Sequence, residues 1–172
     1  MNQEERKRQF IIYSIRERLL LNEFLKNRND FDILHITSVD GYAKYDAVIM
    51  SGGTEYIIET KCRTYPIEEY ENWVIQKDKY DYLISQYHLN GLIPLYVTFT
   101  SSGALIWDLT QIKEPEWFIR DLPANSIEEC NDIEKIIGYV KKKDSNQYLF
   151  LLKIHLTLDI AAQHYDKYFK NK

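Results

Sequence analysis

Hydrophobic residues recur with two different periods along the first part of the chain. Between Glu4 and Lys26 apolar side chains fall at helical spacing with charges between them, which predicts an amphipathic helix. Strand-like alternation follows, interrupted by turn signals at Asp40-Gly41 and at Gly52-Gly53. The three predicted strands cover Phe31 to Val39, Tyr45 to Met50 and Glu55 to Cys62.

A second helix is predicted beyond Pro66. From Glu68 to Tyr87 the aromatic and aliphatic residues fall on one helical stripe, and Asn90-Gly91 is a helix-ending signal. Two further strands then give the order α-β-β-β-α-β-β; they cover Leu92 to Thr100 and Ala104 to Leu109.

The remainder of the chain has a weaker pattern. Residues 113–135 contain two prolines and many charges, so we predict a mostly irregular segment there. Beyond it we predict two strands around a turn at Lys141 to Gln147, and a helix from Asp159 to Lys172; the strands cover Ile136 to Val140 and Tyr148 to Ile154. We expect one α/β domain over residues 1–172, with a central mixed sheet flanked by helices, a core at about 5–110 and a C-terminal extension at 111–172.

Composition narrows the class of function. The chain has 172 residues, 45% of them hydrophobic, but no apolar run of the roughly 18 residues needed to cross a bilayer. We therefore expect a cytoplasmic protein with no membrane partner. A net charge of −4 argues against coating of nucleic acid by bulk electrostatics, although it leaves room for a local site. Cys62, Cys130 and four scattered histidines lack the spacing of a zinc site, so a bound metal would need oxygen ligands.

The predicted hairpin between Tyr45 and Cys62 carries the candidate chemistry. A two-residue Gly52-Gly53 turn pairs Ser51 with Thr54, and the same register places Asp46 directly opposite Glu59. Opposed side chains share a sheet face with Cβ atoms about 5 Å apart. Because strand side chains alternate, Lys61 lies on that face too. Two carboxylates and a lysine are therefore expected to converge.

Two carboxylates this close repel each other unless a cation lies between them, and oxygen ligands suit Mg²⁺ or Mn²⁺. A bound metal could activate water for phosphodiester hydrolysis, and Lys61 could handle a proton or stabilise charge. The alternative is an ordinary hairpin in which Asp46 and Lys61 form a surface salt bridge. The apolar neighbours of these charges favour the first interpretation, since an uncompensated charge among them is costly.

The succession of a helix, a strand, Asp46, a hairpin and Glu59-Thr60-Lys61 resembles the PD-(D/E)xK nuclease superfamily, which has the restriction-endonuclease-like fold. Tyr45 stands where the name of the motif has proline. The resemblance covers roughly residues 5–110. It implies that Asp46 and Glu59 bind the metal, that Lys61 assists hydrolysis, and that DNA is the substrate.

The same resemblance implies further site residues. An acidic residue of the first helix is expected near the metal, with Glu17 as the candidate and Glu23 behind it. Gln76 and Tyr80 match a Gln-x-x-x-Tyr signature of exonuclease-like branches, so Gln76 is a candidate catalytic accessory. Tyr80 and Arg63 are the candidate substrate-binding residues. Gln76 could instead be a core-edge amide, and Tyr80 a core residue of the second helix.

Two alternative functions remain open from the sequence. The chain could be a catalytically inactive nuclease-fold module that acts through binding or assembly. It could also be an interaction domain whose hairpin face forms a subunit contact, and a homo-oligomer is compatible with each function. Tyrosines near the site, Tyr65 and Tyr70 with Trp73, could line its mouth, although core packing explains most of the 14 tyrosines.

Overall fold

A computed structural model describes residues 3–26, 28, 30–39, 43–123, 132–149 and 154–168. The described elements are three helices and nine strands, with short 3₁₀ turns at Ile67–Glu69 and Lys142–Asp144. The helices are α1 (Gln3–Lys26), α2 (Lys77–Asn90) and α3 (Ile154–Tyr168). The strands are β1 (Asp32–Ile36), β2 (Ala47–Ser51), β3 (Thr54–Cys62), β4 (Asn72–Gln76), β5 (Ile93–Phe99), β6 (Gly103–Asp108), β7 (Phe118–Pro123), β8 (Asp132–Lys141) and β9 (Asn146–Leu149).

The main sheet has the strand order β1-β2-β3-β5-β6-β9. The β3–β5 pair is parallel and its other pairs are antiparallel, so the sheet is mixed. The β2–β3 hairpin has the predicted register, with Ser51 opposite Thr54 and Ala47 opposite Ile58. Its two-residue turn is made by Gly52 and Gly53, whose φ angles are +55° and +80°. A type I′ turn requires positive φ at both positions, which explains the glycines.

Helices and a second, smaller sheet cover the main sheet. One face packs against Leu20, Leu21 and Leu25 of α1. On the other face lies a core shared by the main sheet, α2 and a second sheet of order β4-β8-β7. The α/β class predicted from the sequence, with a central mixed sheet flanked by helices, is therefore confirmed.

The predicted helix from Glu68 to Tyr87 is wrong in its first half. That half contains a 3₁₀ turn and strand β4, and α2 starts only at Lys77. In β4 the buried residues are Trp73 and Ile75, which is strand alternation, and the strand pairs with β8. The helix end was predicted correctly, because Gly91 caps α2 in the left-handed conformation with φ +72°.

The C-terminal part of the chain is built into both sheets. The predicted irregular segment 113–135 contains β7 and the start of β8, and the predicted strand at 136–140 belongs to β8. Of the strand predicted from Tyr148 to Ile154, only Tyr148 and Leu149 lie in a strand, the short β9, which pairs with β6 at the sheet edge; Ile154 begins α3, and residues 150–153 lie outside the described residues. Helix α3 packs against α1 through Ala161 and begins at Ile154, earlier than predicted. The predicted Asp40-Gly41 turn, Cys130 and the last residues of the predicted helix lie outside the described residues.

No helix in the described ranges is both long and apolar enough to cross a membrane.

Candidate active site

The candidate site lies where strand β3 leaves its pairing with β2. Asp46 immediately precedes β2, and its backbone N–H donates to the carbonyl oxygen of Ile58 at 2.7 Å. This bond is shifted by one residue from the register in which Ala47 pairs with Ile58, so the regular ladder ends there and the predicted pairing of Asp46 with Glu59 is not part of it. The charges of Asp46 and Glu59 nevertheless act on each other. Both carboxylates are buried, with exposed side-chain fractions of 6% for Asp46 and 1% for Glu59.

Glu59 is held between two lysines. Lys61 Nζ donates to Glu59 Oε1 at 2.7 Å and also to the backbone oxygen of Thr60 at 3.0 Å. Lys79 Nζ, from the first turn of α2, donates to Glu59 Oε2 at 3.3 Å. Each carboxylate oxygen of Glu59 therefore faces an ammonium group, which compensates the burial of its charge.

Asp46 has a different set of partners. Arg18 Nη1 of α1 lies 2.6 Å from Asp46 Oδ1, and the backbone N–H of Thr60 donates to Asp46 Oδ2 at 2.6 Å. Arg18 Nη2 also donates to Thr37 Oγ1 at 3.0 Å, which holds the guanidinium in place. The salt bridge considered from the sequence, between Asp46 and Lys61, is thus replaced by two pairs: Asp46 with Arg18 and Glu59 with Lys61.

Glu17, the acidic residue of the first helix that was predicted to lie near the metal, contacts the end of β3. Glu17 Oε1 accepts a hydrogen bond from the backbone N–H of Cys62 at 3.2 Å, at the end of β3. Its charge also acts on Lys61 and Asp46. Glu23, the second candidate, is exposed on α1. The structure therefore places Glu17 beside the hairpin residues.

Burial and mutual charge shift the pKa values of this cluster in opposite directions. Burial, followed by the charge of Glu59, raises the pKa of Asp46 to about 7, against the lowering effect of Arg18 and Lys61. Burial also acts to raise the pKa of Glu59, but Lys61 and Lys79 outweigh it and the pKa is lowered. Burial acts to lower the pKa of Lys61, yet the carboxylates of Glu17, Glu59 and Asp46 raise it overall. Lys61 is therefore a protonated ammonium at neutral pH, suited to stabilising negative charge.

A cavity of about 690 Å³ opens beside Glu59 and Lys61. Of the residues predicted for the site, Gln76 and Arg63 also line it, whereas Asp46 is not among the lining residues. Gln76 is the last residue of β4 and precedes α2 rather than lying within a helix. Tyr80 is not a lining residue: it is buried in the core, with its ring 5.2 Å from that of Trp117. The structure therefore places Tyr80 in the core and not among the residues that line the cavity.

The donor set suits a hard divalent cation held by few protein ligands. Among the described residues no group of three or more His, Cys, Asp or Glu side chains is arranged to hold a metal ion. Mg²⁺, however, is commonly bound through one or two carboxylates together with water and substrate phosphates. Asp46 and Glu59 provide two such groups; burial, followed by repulsion from Glu59, raises the pKa of Asp46, and a cation would relieve that repulsion. An entering cation would compete with Arg18 and the two lysines for these oxygens.

Two basic residues of the cluster, Arg18 and Lys79, were not predicted. Lys79 lies between the two residues of the Gln-x-x-x-Tyr signature, and its basic character in the first turn of α2 was a signal available in the sequence. Arg18 directly follows Glu17 and could have been considered with it. Cys62, the free thiol at the end of β3, has its pKa raised to about 11 by burial and is therefore not a thiolate at neutral pH.

Comparison with known proteins gives one structural similarity to report. No protein-family model matches the chain, and no curated protein matches it in sequence. Among solved structures, the chain is similar to Hjc, a Holliday junction resolvase of the archaeon Archaeoglobus fulgidus. The TM-score is 0.48 at 14% sequence identity, over 84% of this chain and 96% of the resolvase chain.

Proposed function

We propose that this protein is a metal-dependent nuclease of the PD-(D/E)xK type that hydrolyses phosphodiester bonds of nucleic acid, most naturally DNA. The observation that carries the proposal is the position of Glu59 and Lys61 on one cavity wall, 2.7 Å apart, with Asp46 near enough for the charges of the two carboxylates to act on each other. The sequence resemblance supports the assignment of DNA as the substrate and of Mg²⁺ or Mn²⁺ as the cofactor.

Each residue then has a distinct task. Asp46 and Glu59 would hold Mg²⁺, which when bound polarises a phosphate and lowers the pKa of a coordinated water. Lys61, protonated and 23% exposed at its side chain, stabilises the negative charge that develops on the phosphorus oxygens. Lys79 faces the second oxygen of Glu59 and orients that carboxylate. Gln76 and Arg63 line the cavity and position the polynucleotide through its phosphates.

A binding module without turnover is the second candidate, and one observation favours it. Both oxygens of Glu59 are engaged by lysines and one oxygen of Asp46 by Arg18, so protein cations compensate the acidic pair without a metal. In that case phosphate would bind to the basic side chains, and the acidic pair would serve to hold those side chains in place.

Cleavage by a lysine variant separates the two candidates. Wild-type protein is incubated with linear duplex, circular duplex and single-stranded DNA, with Mg²⁺, Mn²⁺ or EDTA. Lys61→Met should lower the cleavage rate by roughly 10²- to 10³-fold, because one charge-stabilising donor is lost. Lys77→Met is the matched control, since Lys77 pairs with Asp81 on α2 and does not line the cavity. Cleavage by wild type that is insensitive to metal or to Lys61→Met would contradict the proposal.

A further inference from the structure

The cavity beside Glu59 has two walls that come from different sheets. The main sheet contributes Glu59, Lys61 and Tyr96. The second sheet contributes alternate residues of its strands, which point to one face: Asn72, Val74 and Gln76 of β4, with Lys135 and Tyr139 of β8. The candidate catalytic groups therefore lie in a slot between two sheets rather than on an open surface.

The spacing of the two walls is fixed by two hydrogen bonds that core residues make. Tyr96 is 2% exposed, and its hydroxyl donates to the backbone oxygen of Val74 at 2.7 Å, which joins β5 to β4. Trp107 similarly donates from its indole nitrogen to the backbone oxygen of Lys141 at 2.8 Å, joining β6 to β8. Because both bonds are made by core residues, the slot is a preformed feature of the fold.

The size of the slot limits what can reach Glu59. Its volume of about 690 Å³ is within the range of pockets that enclose one small molecule. About one or two nucleotides fit in such a volume, but the stacked and paired bases of a duplex do not. A strand whose bases enter the slot while its phosphate approaches Glu59, which is 1% exposed, is therefore separated from its complement.

The chemistry of the lining matches an unpaired strand. The slot is lined by more basic than acidic side chains. The four basic residues are Lys61, Arg63, Lys79 and Lys135, and the two acidic residues are Glu59 and Glu71. Tyr70 and Tyr139 also line it, with 47% and 41% of their surface exposed. The ring of Tyr65 supports Tyr70 edge-on at 4.7 Å between centroids. A basic groove combined with exposed aromatic rings is the usual equipment for binding single strands by phosphate contact and base stacking.

We infer that the slot between the two sheets binds a single-stranded end or an unpaired segment of nucleic acid, with bases stacked on Tyr70 and Tyr139 and a phosphate at Lys61 and Lys79. The inference deepens the proposed function and rests on it for the chemical step. The sequence suggested that Tyr65, Tyr70 and Trp73 could line the mouth of the site. Tyr65 and Tyr70 line the slot, whereas Trp73 is buried beneath them. Duplex substrates are then cut only where strands separate.

The test measures binding without hydrolysis. Fluorescence anisotropy in EDTA follows labelled short oligothymidylate, the matching oligouridylate, and a blunt duplex of the same length. The variants are Tyr70→Leu and Tyr139→Leu, which keep apolar bulk but remove the ring, and the corresponding Phe variants, which keep the ring. Tyr87→Leu is the control, because Tyr87 is also 41% exposed but lies on α2 outside the slot.

We expect single strands to bind more tightly than the duplex, and each Leu variant at position 70 or 139 to lose roughly 5- to 150-fold in affinity for each lost stacking contact. The Phe variants and Tyr87→Leu should bind like wild type. Tight binding of either the DNA or the RNA strand that depends on the aromatic rings supports the inference. The strand that binds more tightly shows whether the slot prefers deoxyribose or ribose. Equal or tighter binding of the duplex, no binding of a single strand, or Leu variants that bind like wild type would overturn it.

The outcomes also separate this inference from the proposed hydrolysis. Ring-dependent binding of single strands in EDTA, with no cleavage in Mg²⁺ or Mn²⁺, would refute the nuclease and leave the slot as a single-strand binding site. Metal-dependent cleavage of an intact duplex interior, insensitive to Tyr70→Leu and Tyr139→Leu, would keep the nuclease and refute the slot.

Discussion

Asp46→Asn tests the electrostatic structure of the site through the pH dependence of stability. Two effects oppose each other at Asp46: burial and the charge of Glu59 favour its protonated form, whereas Arg18 at 2.6 Å favours the carboxylate. The balance raises the pKa from 3.8 to about 7 in the folded protein. The side chain is 6% exposed, so solvent screens this shift little.

The direction in which the free energy of unfolding changes with pH follows from proton linkage. Between pH 4 and 7 the folded protein keeps a proton on Asp46 that the unfolded chain has released, so the free energy of unfolding decreases as pH rises. The contribution is fully present below pH 3.8 and is lost as pH passes about 7. Asp46 changes the free energy of unfolding by at most about −1.4 kcal/mol per pH unit, which amounts to about 4 kcal/mol between pH 3.8 and about 7. Asn cannot titrate and should remove this slope.

The measurement is urea denaturation of wild type and Asp46→Asn in EDTA at several pH values across the window. The difference between the two free energies of unfolding should change in favour of the variant as pH rises, because only wild type must bury a new charge. Parallel profiles would refute the raised pKa. A difference of opposite sign would show that Arg18 dominates and holds the pKa of Asp46 below its ordinary value.

Three further predictions concern neighbouring features of the site and the slot. Arg18→Leu leaves Asp46 without its cation, so urea denaturation at about pH 9, where Asp46 of the wild type is ionised, should show a loss of about 3–5 kcal/mol; a loss below about 1 kcal/mol there, as for a surface pair, would contradict a buried ion pair. Gly138→Ala would place a Cβ 2.9 Å from the ring of Trp117, so the second sheet should be destabilised by about 1–3 kcal/mol, and an unchanged Tm would contradict that packing. Lys135→Gln should reduce the slope of log affinity for single-stranded nucleic acid against log salt by about 0.7, and an unchanged slope would exclude a phosphate contact at Lys135.

The hairpin could be predicted from the sequence because its determinants are local. Gly52 and Gly53 supply the positive φ angles that fix the turn, and the turn fixes the register, so the pairs from Ser51–Thr54 to Ala47–Ile58 follow from counting. The shift of the hydrogen bonding at Asp46 does not follow from the turn. The end of α2 is likewise determined by a neighbouring residue, the capping Gly91. Glu17 was expected from the family resemblance, and only the packing of α1 on the sheet distinguishes it from Glu23.

The errors concern contacts between distant parts of the chain. Residues 72–76 were predicted as helix because apolar side chains there also fit a helical stripe, but pairing with β8, more than 50 residues later, makes them a strand. The pairing of Arg18 with Asp46 and of Lys79 with Glu59 likewise depends on how two helices pack on the sheet. Tyr80 was assigned to the site from a short motif, although its ring is needed in the core beside Trp117. Long-range strand pairing and helix orientation leave little signal in a single sequence.

The most direct test of the central claim is a calorimetric titration of Mn²⁺ into wild type, Glu59→Gln and Glu55→Gln, with DNA cleavage assayed in parallel. Glu55 is the control, since it lies on the same strand, exposed and away from the slot. Circular dichroism first verifies that each variant is folded. We predict metal binding and cleavage by wild type and Glu55→Gln, and loss of both in Glu59→Gln. Absence of metal binding by wild type, or unchanged binding and cleavage by Glu59→Gln, would contradict a metal-dependent nuclease at this site.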